Sequence, residues 1–101
     1  MDRAPRFAWL QELNDLRQIP VEQIQPGQTL LVRLGEVVPV DGRLLSPTAT
    51  LDESALSGES LPVTRREGEV LRSGVANAGA PLQLLATQTA AQSTYAGVVR
   101  L

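Results

Sequence analysis

The chain has 101 residues, a mass of 10.8 kDa and a formal net charge of −2, with 43% hydrophobic and 20% charged residues. This is the size and composition of one soluble globular domain with a core of its own. It contains no Cys and no His, and all nine basic residues are Arg. Zinc–thiolate sites, Cys nucleophiles, imidazole acid–base chemistry and a P-loop or Schiff-base lysine are therefore excluded on these residues.

Charge and hydropathy argue against two further classes of protein. No basic run is present to neutralise phosphates, so we expect no nucleic-acid partner. No stretch of about 18 apolar residues occurs, and residues 1–15 lack the apolar segment of a signal peptide. We therefore expect a piece that by itself is soluble and compatible with the cytosol.

The first predicted element is a helix, which occupies an N-terminal segment at residues 1–18. Pro5 suits the first turn of a helix, and Phe7, Leu10 and Leu13 recur at the spacing of one helical face. Residues 16–19 leave little room for a strand after this helix. The spacing thus predicts that β structure begins only after residue 18.

A β core is predicted over residues 19–92, because Gly and Pro punctuate short apolar runs every six to twelve residues. This pattern is typical of an all-β sandwich or barrel. The strands are expected at 29–34, 37–40, 43–45, 48–51, 61–64, 70–76 and 82–88, the last alternating like an outer strand. A second helix is predicted to begin with Ser93 as its cap and to run through 93–101 and beyond.

Acidic and hydroxyl side chains crowd into residues 52–63, between two predicted strands. Gly58 permits a backbone with positive φ, so 57–59 can form a tight turn that projects the Glu59 carboxylate. The simpler interpretation is a polar turn in which Glu59 is a solvated charge. A third possibility, that Asp52 and Glu59 bind Mg²⁺ and hydrolyse a phosphate ester alone, leaves the metal with too few ligands, and we expect no turnover.

Asp41 and Gly42 form the other marked dipeptide. Asp-Gly between apolar runs predicts a hairpin turn, because both residues tolerate φ > 0. The expected role of Asp41 is then structural rather than catalytic.

Four separated blocks together resemble the actuator domain of P-type ATPases. They are V-V-P-V-D-G at 37–42, L-D-E-S-A-L-S-G-E-S-L-P-V at 51–63, G-E-V at 68–70 and S-G-V-A-N at 73–77. The second block is most similar to the heavy-metal (P1B) group, and its D-E-S-A-L run leans slightly to the pumps for divalent ions. The resemblance covers residues 21–101 and implies a distorted jelly-roll of β-strands with a short helix at each end.

The resemblance also implies a mechanism and its site. The loop 57–59 would swing over an aspartyl phosphate on the phosphorylation domain, and Glu59 would orient and deprotonate the attacking water. Gly58 would let the loop approach closely, and Ser57 stands where the family usually has Thr. The residues expected to support the loop are Asp52, Glu53, Ser54, Ser60 and Pro62. Two further departures from the family pattern are Gln28, where Asp is common, and Arg65, where Lys often stands.

The implied partners are the phosphorylation and nucleotide-binding domains and the transmembrane helices of the same polypeptide. The domain would lie on the cytoplasmic side of a membrane, as a monomer when isolated. It is expected to bind no metal, nucleotide or other cofactor, whereas the parent pump would use ATP and Mg²⁺. The alternative is a freestanding β-rich binding module with an acidic recognition loop.

Overall fold

The computed structural model describes residues 5–93, and short strands dominate this part of the chain. In chain order the elements are β1 (Phe7–Glu12), β2 (Asp15–Pro20), a 3₁₀ turn (Val21–Gln23), β3 (Thr29–Val32), β4 (Gly42–Leu44), β5 (Thr48–Asp52), α1 (Ser54–Ser57), β6 (Val63–Arg66), β7 (Val70–Leu71), β8 (Ala76–Asn77) and β9 (Leu82–Ala86). The prediction of a mainly β domain is confirmed.

The strands form two antiparallel sheets. Six strands make one sheet in the order β2-β1-β3-β9-β4-β7, and three make the other in the order β6-β5-β8. Leu51 pairs with both Val63 and Asn77, so β5 is the centre of the smaller sheet. The segment 52–63 therefore joins the two strands β5 and β6 of this smaller sheet.

The core is built from side chains that alternate inward along the strands. β9 has the burial pattern buried, half-buried, buried, half-buried, buried, as expected when one face of a strand packs against a core. Residues from both sheets and from the connections between them meet in one apolar cluster. Its fully buried members include Leu30, Leu44, Leu51, Leu82, Leu84, Val38 and Val40.

The predicted N-terminal helix is wrong: β1 and β2 form a hairpin through a turn at Leu13 and Asn14. The apolar residues of this segment fit both the helical spacing of three to four residues and the strand spacing of two. In the structure they follow the strand spacing. Ala8 and Leu10 are buried, whereas Phe7 is 55% and Leu13 is 100% exposed. The hairpin is held because β1 also pairs with β3 through Leu10 and Leu30, which gives it a buried face.

Three predicted strands are placed differently in the structure. Segment 37–40 contributes a single bridge from Val37 to Ala76 instead of a strand, although Val38 donates its N–H to the Val75 carbonyl at 2.8 Å. Segment 70–76 divides into β7 and β8, which belong to different sheets, with Gly74 at φ 97° between them. Segment 82–88 ends at Ala86 and lies inside the larger sheet, between β3 and β4.

The predicted Asp41–Gly42 hairpin is also wrong. Gly42 begins β4, which pairs with β7 and β9 and not with the residues before it. Its φ is not positive, and a Cβ on Gly42 would overlap the backbone oxygen of Leu85. Gly42 therefore serves close strand packing rather than a turn.

Ser93, the last residue described, is buried and follows the last strand, β9. Its hydroxyl accepts the Asp41 N–H at 2.9 Å and donates to the Thr89 carbonyl at 2.6 Å. The helix predicted over 93–101 otherwise lies outside the described residues. Within residues 5–93, no helix is long and apolar enough to cross a membrane.

Candidate functional site

The loop between β5 and β6 begins with a single helical turn, α1, that ends at a left-handed glycine. Gly58 has φ 80° and ψ −1°, and its N–H donates to the Ser54 carbonyl at 2.8 Å. This is the C-terminal helix stop that glycine favours, since a side chain in the left-handed region is strained. No atom lies within 4 Å of the point that a Cβ on Gly58 would occupy, so the backbone conformation, and not crowding, requires glycine here.

The Ser57 hydroxyl fixes the residue that follows the glycine. It donates to the Glu53 carbonyl at 3.2 Å and accepts the Glu59 N–H at 3.2 Å. Glu59 is exposed at the tip of the loop. The hydroxyl thus orients the backbone of Glu59 while the carboxylate stays open to another surface, and a serine supplies this contact without the γ-methyl of threonine.

Asp52 holds the start of the helical turn. Its Oδ1 accepts the Ser54 N–H at 2.9 Å, which satisfies one of the otherwise unpaired N–H groups of the turn. Hydrogen bonding from Ser54, by its side chain first and then by its backbone, lowers the pKa of Asp52. Asp52 and Ser54 therefore contact each other at the base of the loop that they are predicted to support.

Glu53 connects the loop to the sheet. Its carboxylate forms a bidentate (two-pronged) ion pair with Arg65 on β6, with Oε2 to Nε at 3.0 Å and Oε1 to Nη2 at 2.9 Å. Hydrogen bonding to Glu53 raises the pKa of Arg65, which favours its charged form. The ion pair joins positions 12 residues apart, one on each side of the loop.

Other predicted members of the site are less engaged. Ser60 and Pro62 are exposed, and no hydrogen bond to the Ser60 side chain is found in the described part of the chain. Leu61, between them, is 74% exposed. These residues lie on the returning limb of the loop, where they are accessible for contact with another surface.

The arrangement is an exposed tip rather than a cleft. A small cavity of about 60 Å³ lies beside the stem of the loop, lined by Glu53, Leu56, Arg65, Val70, Arg72 and Val75. A larger cavity of about 320 Å³ has walls from β1 and from residues 31–39, with none from the loop. Among residues 5–93, no three acidic side chains come together in a way that could hold a metal ion.

Asp52 precedes the helical turn α1 and Glu59 follows it. Asp52 is engaged with Ser54 at the base of the turn, and in the described residues no hydrogen bond links it to Glu59. Asp41, the other acidic candidate, lies elsewhere and accepts the Ser73 N–H at 2.8 Å. Asp41 thus braces a contact between distant segments and not a hairpin.

The fold and loop define a two-sheet β domain that presents one carboxylate on a glycine-stopped turn. The family model of the P-type ATPase actuator domain matches residues 2–101. The chain therefore belongs to the P-type ATPase actuator domain family. The fold agrees with that of a zinc-transporting PIB-type ATPase solved in its E2.Pi state, with a TM-score of 0.93 and 30% identity over 96% of this chain.

Sequence relatives give the same family. A copper-transporting ATPase of Helicobacter felis is 43% identical in an alignment 98 residues long, which covers 90% of this chain and 13% of the relative. A cadmium, zinc and cobalt-transporting ATPase of Bacillus subtilis is 34% identical over 101 residues, 100% of this chain and 14% of the relative. The chain also spans 16% of the solved zinc-transporting ATPase. It thus corresponds to a small part of each of these proteins.

Sequence reasoning missed the partner of Glu53. The sequence marks Arg65 only as standing where a lysine often occurs, and it does not predict the contact with Glu53. The strand register does not signal it either, since Arg65 pairs with Ala49 and not with Glu53, so only the fold of the loop after β5 brings the two side chains together.

Proposed function

We propose that this chain is the actuator domain of a heavy-metal-transporting P-type ATPase, and that its loop at 57–59 promotes hydrolysis of an aspartyl phosphate on the phosphorylation domain. The observation that carries the proposal is the exposed Glu59, which follows a left-handed Gly58 and whose N–H is held by the Ser57 hydroxyl. The family match and the heavy-metal names of its relatives supply the context.

The proposed chemistry needs little from this domain beyond a base on a projecting support. Hydrolysis of an acyl phosphate requires a water in line with the breaking bond and a group that accepts its proton. Glu59 would accept that proton when the loop enters the interface between domains. Because Gly58 has no side chain, the backbone of the loop can approach the phosphate closely.

Engagement of this loop would also couple hydrolysis to movement of the membrane helices, since the domain and those helices would belong to one polypeptide. The parent protein would use ATP and Mg²⁺, as its ATPase relatives suggest, and its other domains would hold them. The domain would work on the cytoplasmic side, where ATP is present. Copper and the zinc, cadmium and cobalt group are both represented among the relatives, and we propose only that the cargo is a heavy-metal cation.

The test is Glu59→Gln in the full-length parent protein. The amide keeps the size of the side chain but is no longer a base, so phosphoenzyme should form from ATP and then decay about 10²-fold to 10⁴-fold more slowly. The measurement is a chase of labelled phosphoenzyme with unlabelled ATP. Glu67→Gln is the matched control, because Glu67 is an exposed glutamate in a different turn; decay of Glu59→Gln at the control rate would refute the proposal.

A further inference from the structure

The tip that carries Glu59 has no apolar anchor of its own. Every residue from 55 to 62 is exposed, Leu61 at 74%; Leu56, at 36%, is partly covered beside the stem, where it lines the small cavity with Arg65. The one helical turn is too short to be stable by itself, because a first turn costs more conformational entropy than its few hydrogen bonds return. The position of the tip must therefore be set by contacts at its stem.

Glu53 is the residue at which those contacts meet. Its backbone carbonyl accepts the N–H groups of Leu56 and Ser57, each at 3.0 Å, and the Ser57 hydroxyl at 3.2 Å. Its carboxylate is held by the guanidinium of Arg65 through two hydrogen bonds. The route from Arg65 to Glu59 is continuous: guanidinium, Glu53 carboxylate and carbonyl, Ser57 hydroxyl, and Glu59 N–H.

The anchor is suited to fixing an orientation. Two parallel N–H···O bonds between a planar guanidinium and a carboxylate define an angle as well as a distance, which a lysine ammonium does not. The Glu53 side chain is only 18% exposed and that of Arg65 36%, so water competes for the pair less than at an open surface. Arg65 lies within a paired strand, which gives the anchor a rigid base.

We infer that Arg65 is a positioning residue for the reaction, which sets the placement of Glu59 by clamping Glu53 to strand β6. The inference rests on the proposed function of Glu59. Arg65 itself touches neither water nor phosphate in this role. Loss of the clamp should leave the loop chemically intact and mechanically loose, so it should slow the proton-transfer step without affecting steps that do not use the loop.

The test uses Arg65→Gln in the full-length parent protein, with Arg66→Gln as the matched control. Arg66 is the next residue of the same strand, its side chain is exposed, and by strand alternation it projects from the opposite face. Arg65→Gln should slow phosphoenzyme decay about threefold to tenfold, as expected for loss of a half-buried two-pronged pair. The rate of phosphoenzyme formation should be unchanged, whereas damage to the whole domain would disturb both rates.

Two further variants distinguish positioning from a structural effect. In a Glu53→Gln background, Arg65→Gln should add no further slowing, because the clamp is already broken. Arg65→Lys should restore part of the rate, because it keeps the charge but not the fork. Full additivity of the two Gln substitutions, or decay in Arg65→Gln equal to the Arg66→Gln control, would overturn the inference.

Failure of the inference can be separated from failure of the proposed function. If Glu59→Gln slows decay but Arg65→Gln does not, Glu59 is the base and Arg65 does not position it. If Glu59→Gln itself decays normally, both proposals fall. A readout that is independent of activity is ¹⁵N relaxation of the Leu56, Ser57 and Gly58 amides in the 101-residue chain, which should show lower order in Arg65→Gln than in Arg66→Gln; equal order would also overturn the clamp.

Discussion

Replacement of Gly42 by alanine tests the packing of the larger sheet. A Cβ at this position would overlap the backbone oxygen of Leu85 and lie 2.9 Å from Leu84 Cδ1. Leu84 can relieve its contact by rotating its side chain, but the Leu85 oxygen belongs to the backbone, so β4 or β9 itself would have to move. Neither strand can move freely, because β9 is paired on its other side with β3.

The expected cost combines two effects. Overpacking of a filled core costs about 1–3 kcal/mol, and loss of good geometry in the β4–β9 ladder adds about 1 kcal/mol for each weakened hydrogen bond. With one weakened hydrogen bond, Gly42→Ala should therefore lower the free energy of unfolding by about 2–4 kcal/mol, a large part of the total of about 5–15 kcal/mol for a domain of this kind. Urea unfolding of the 101-residue chain, followed by circular dichroism, measures the loss.

Two comparison variants decide whether packing is the reason. Gly68 has φ 88° and open space around the Cβ position, so Gly68→Ala should cost only about 1–2 kcal/mol of backbone strain. Gly42→Asn should be at least as harmful as Gly42→Ala, whereas in a left-handed turn asparagine would be well tolerated. A loss in Gly42→Ala no greater than in Gly68→Ala, or clear rescue by asparagine, would refute the reasoning.

Two other predictions concern buried and charged contacts. Asn77 is 1% exposed and donates from Nδ2 to the carbonyls of Val32 and Ala80, both at 2.9 Å. Asn77→Ala should cost about 2–4 kcal/mol in urea unfolding because these groups lose their partner, and Asn77→Asp should cost more because a carboxylate would face two carbonyl oxygens; a loss below about 1 kcal/mol in both would contradict this. Burial acts to raise the pKa of Glu36, but hydrogen bonds from the backbone and side chain of Arg33 outweigh it and lower the pKa below 4.5. The Glu36–Arg33 interaction therefore stabilises the fold above pH 4.5 and is lost as the pH falls through the lowered pKa. Glu36→Gln should cost about 0.5–1 kcal/mol of unfolding free energy at about pH 7 and progressively less in acid. A cost that does not vary with pH would exclude the ion pair as its source.

Much of the fold could be predicted from local pattern, and the errors have a common cause. Strands β3, β5, β6 and β9 overlap their predicted ranges because turn residues bound them closely in the sequence. The N-terminal hairpin was missed because its apolar residues satisfy two periods, and the choice depended on pairing with β3, a segment that lies beyond it in the chain. The outer position predicted for β9 was wrong for a related reason, since strand order is set by partners and not by the strand itself.

The candidate site divides in the same way. The motif at 57–59 indicated a glycine turn with an outward carboxylate, and the structure shows the left-handed Gly58 and the exposed Glu59. The role of Glu59 in hydrolysis stays a prediction. The ion pair between Arg65 and Glu53 could not be predicted, because a sequence shows which residues can pair but not which of several acidic side chains lies within reach.

By itself the sequence determined the family, the mainly β class and the chemistry available to the loop, because these depend on residue identity and short-range spacing. Only the tertiary structure decided that residues 7–20 form a hairpin, that Gly42 packs directly against the backbone of Leu85, and that Arg65 anchors the loop through Glu53. Each of these depends on contacts between separate segments of the chain. Such contacts are selected by the burial of a shared core and by strand register, which no local window of sequence contains.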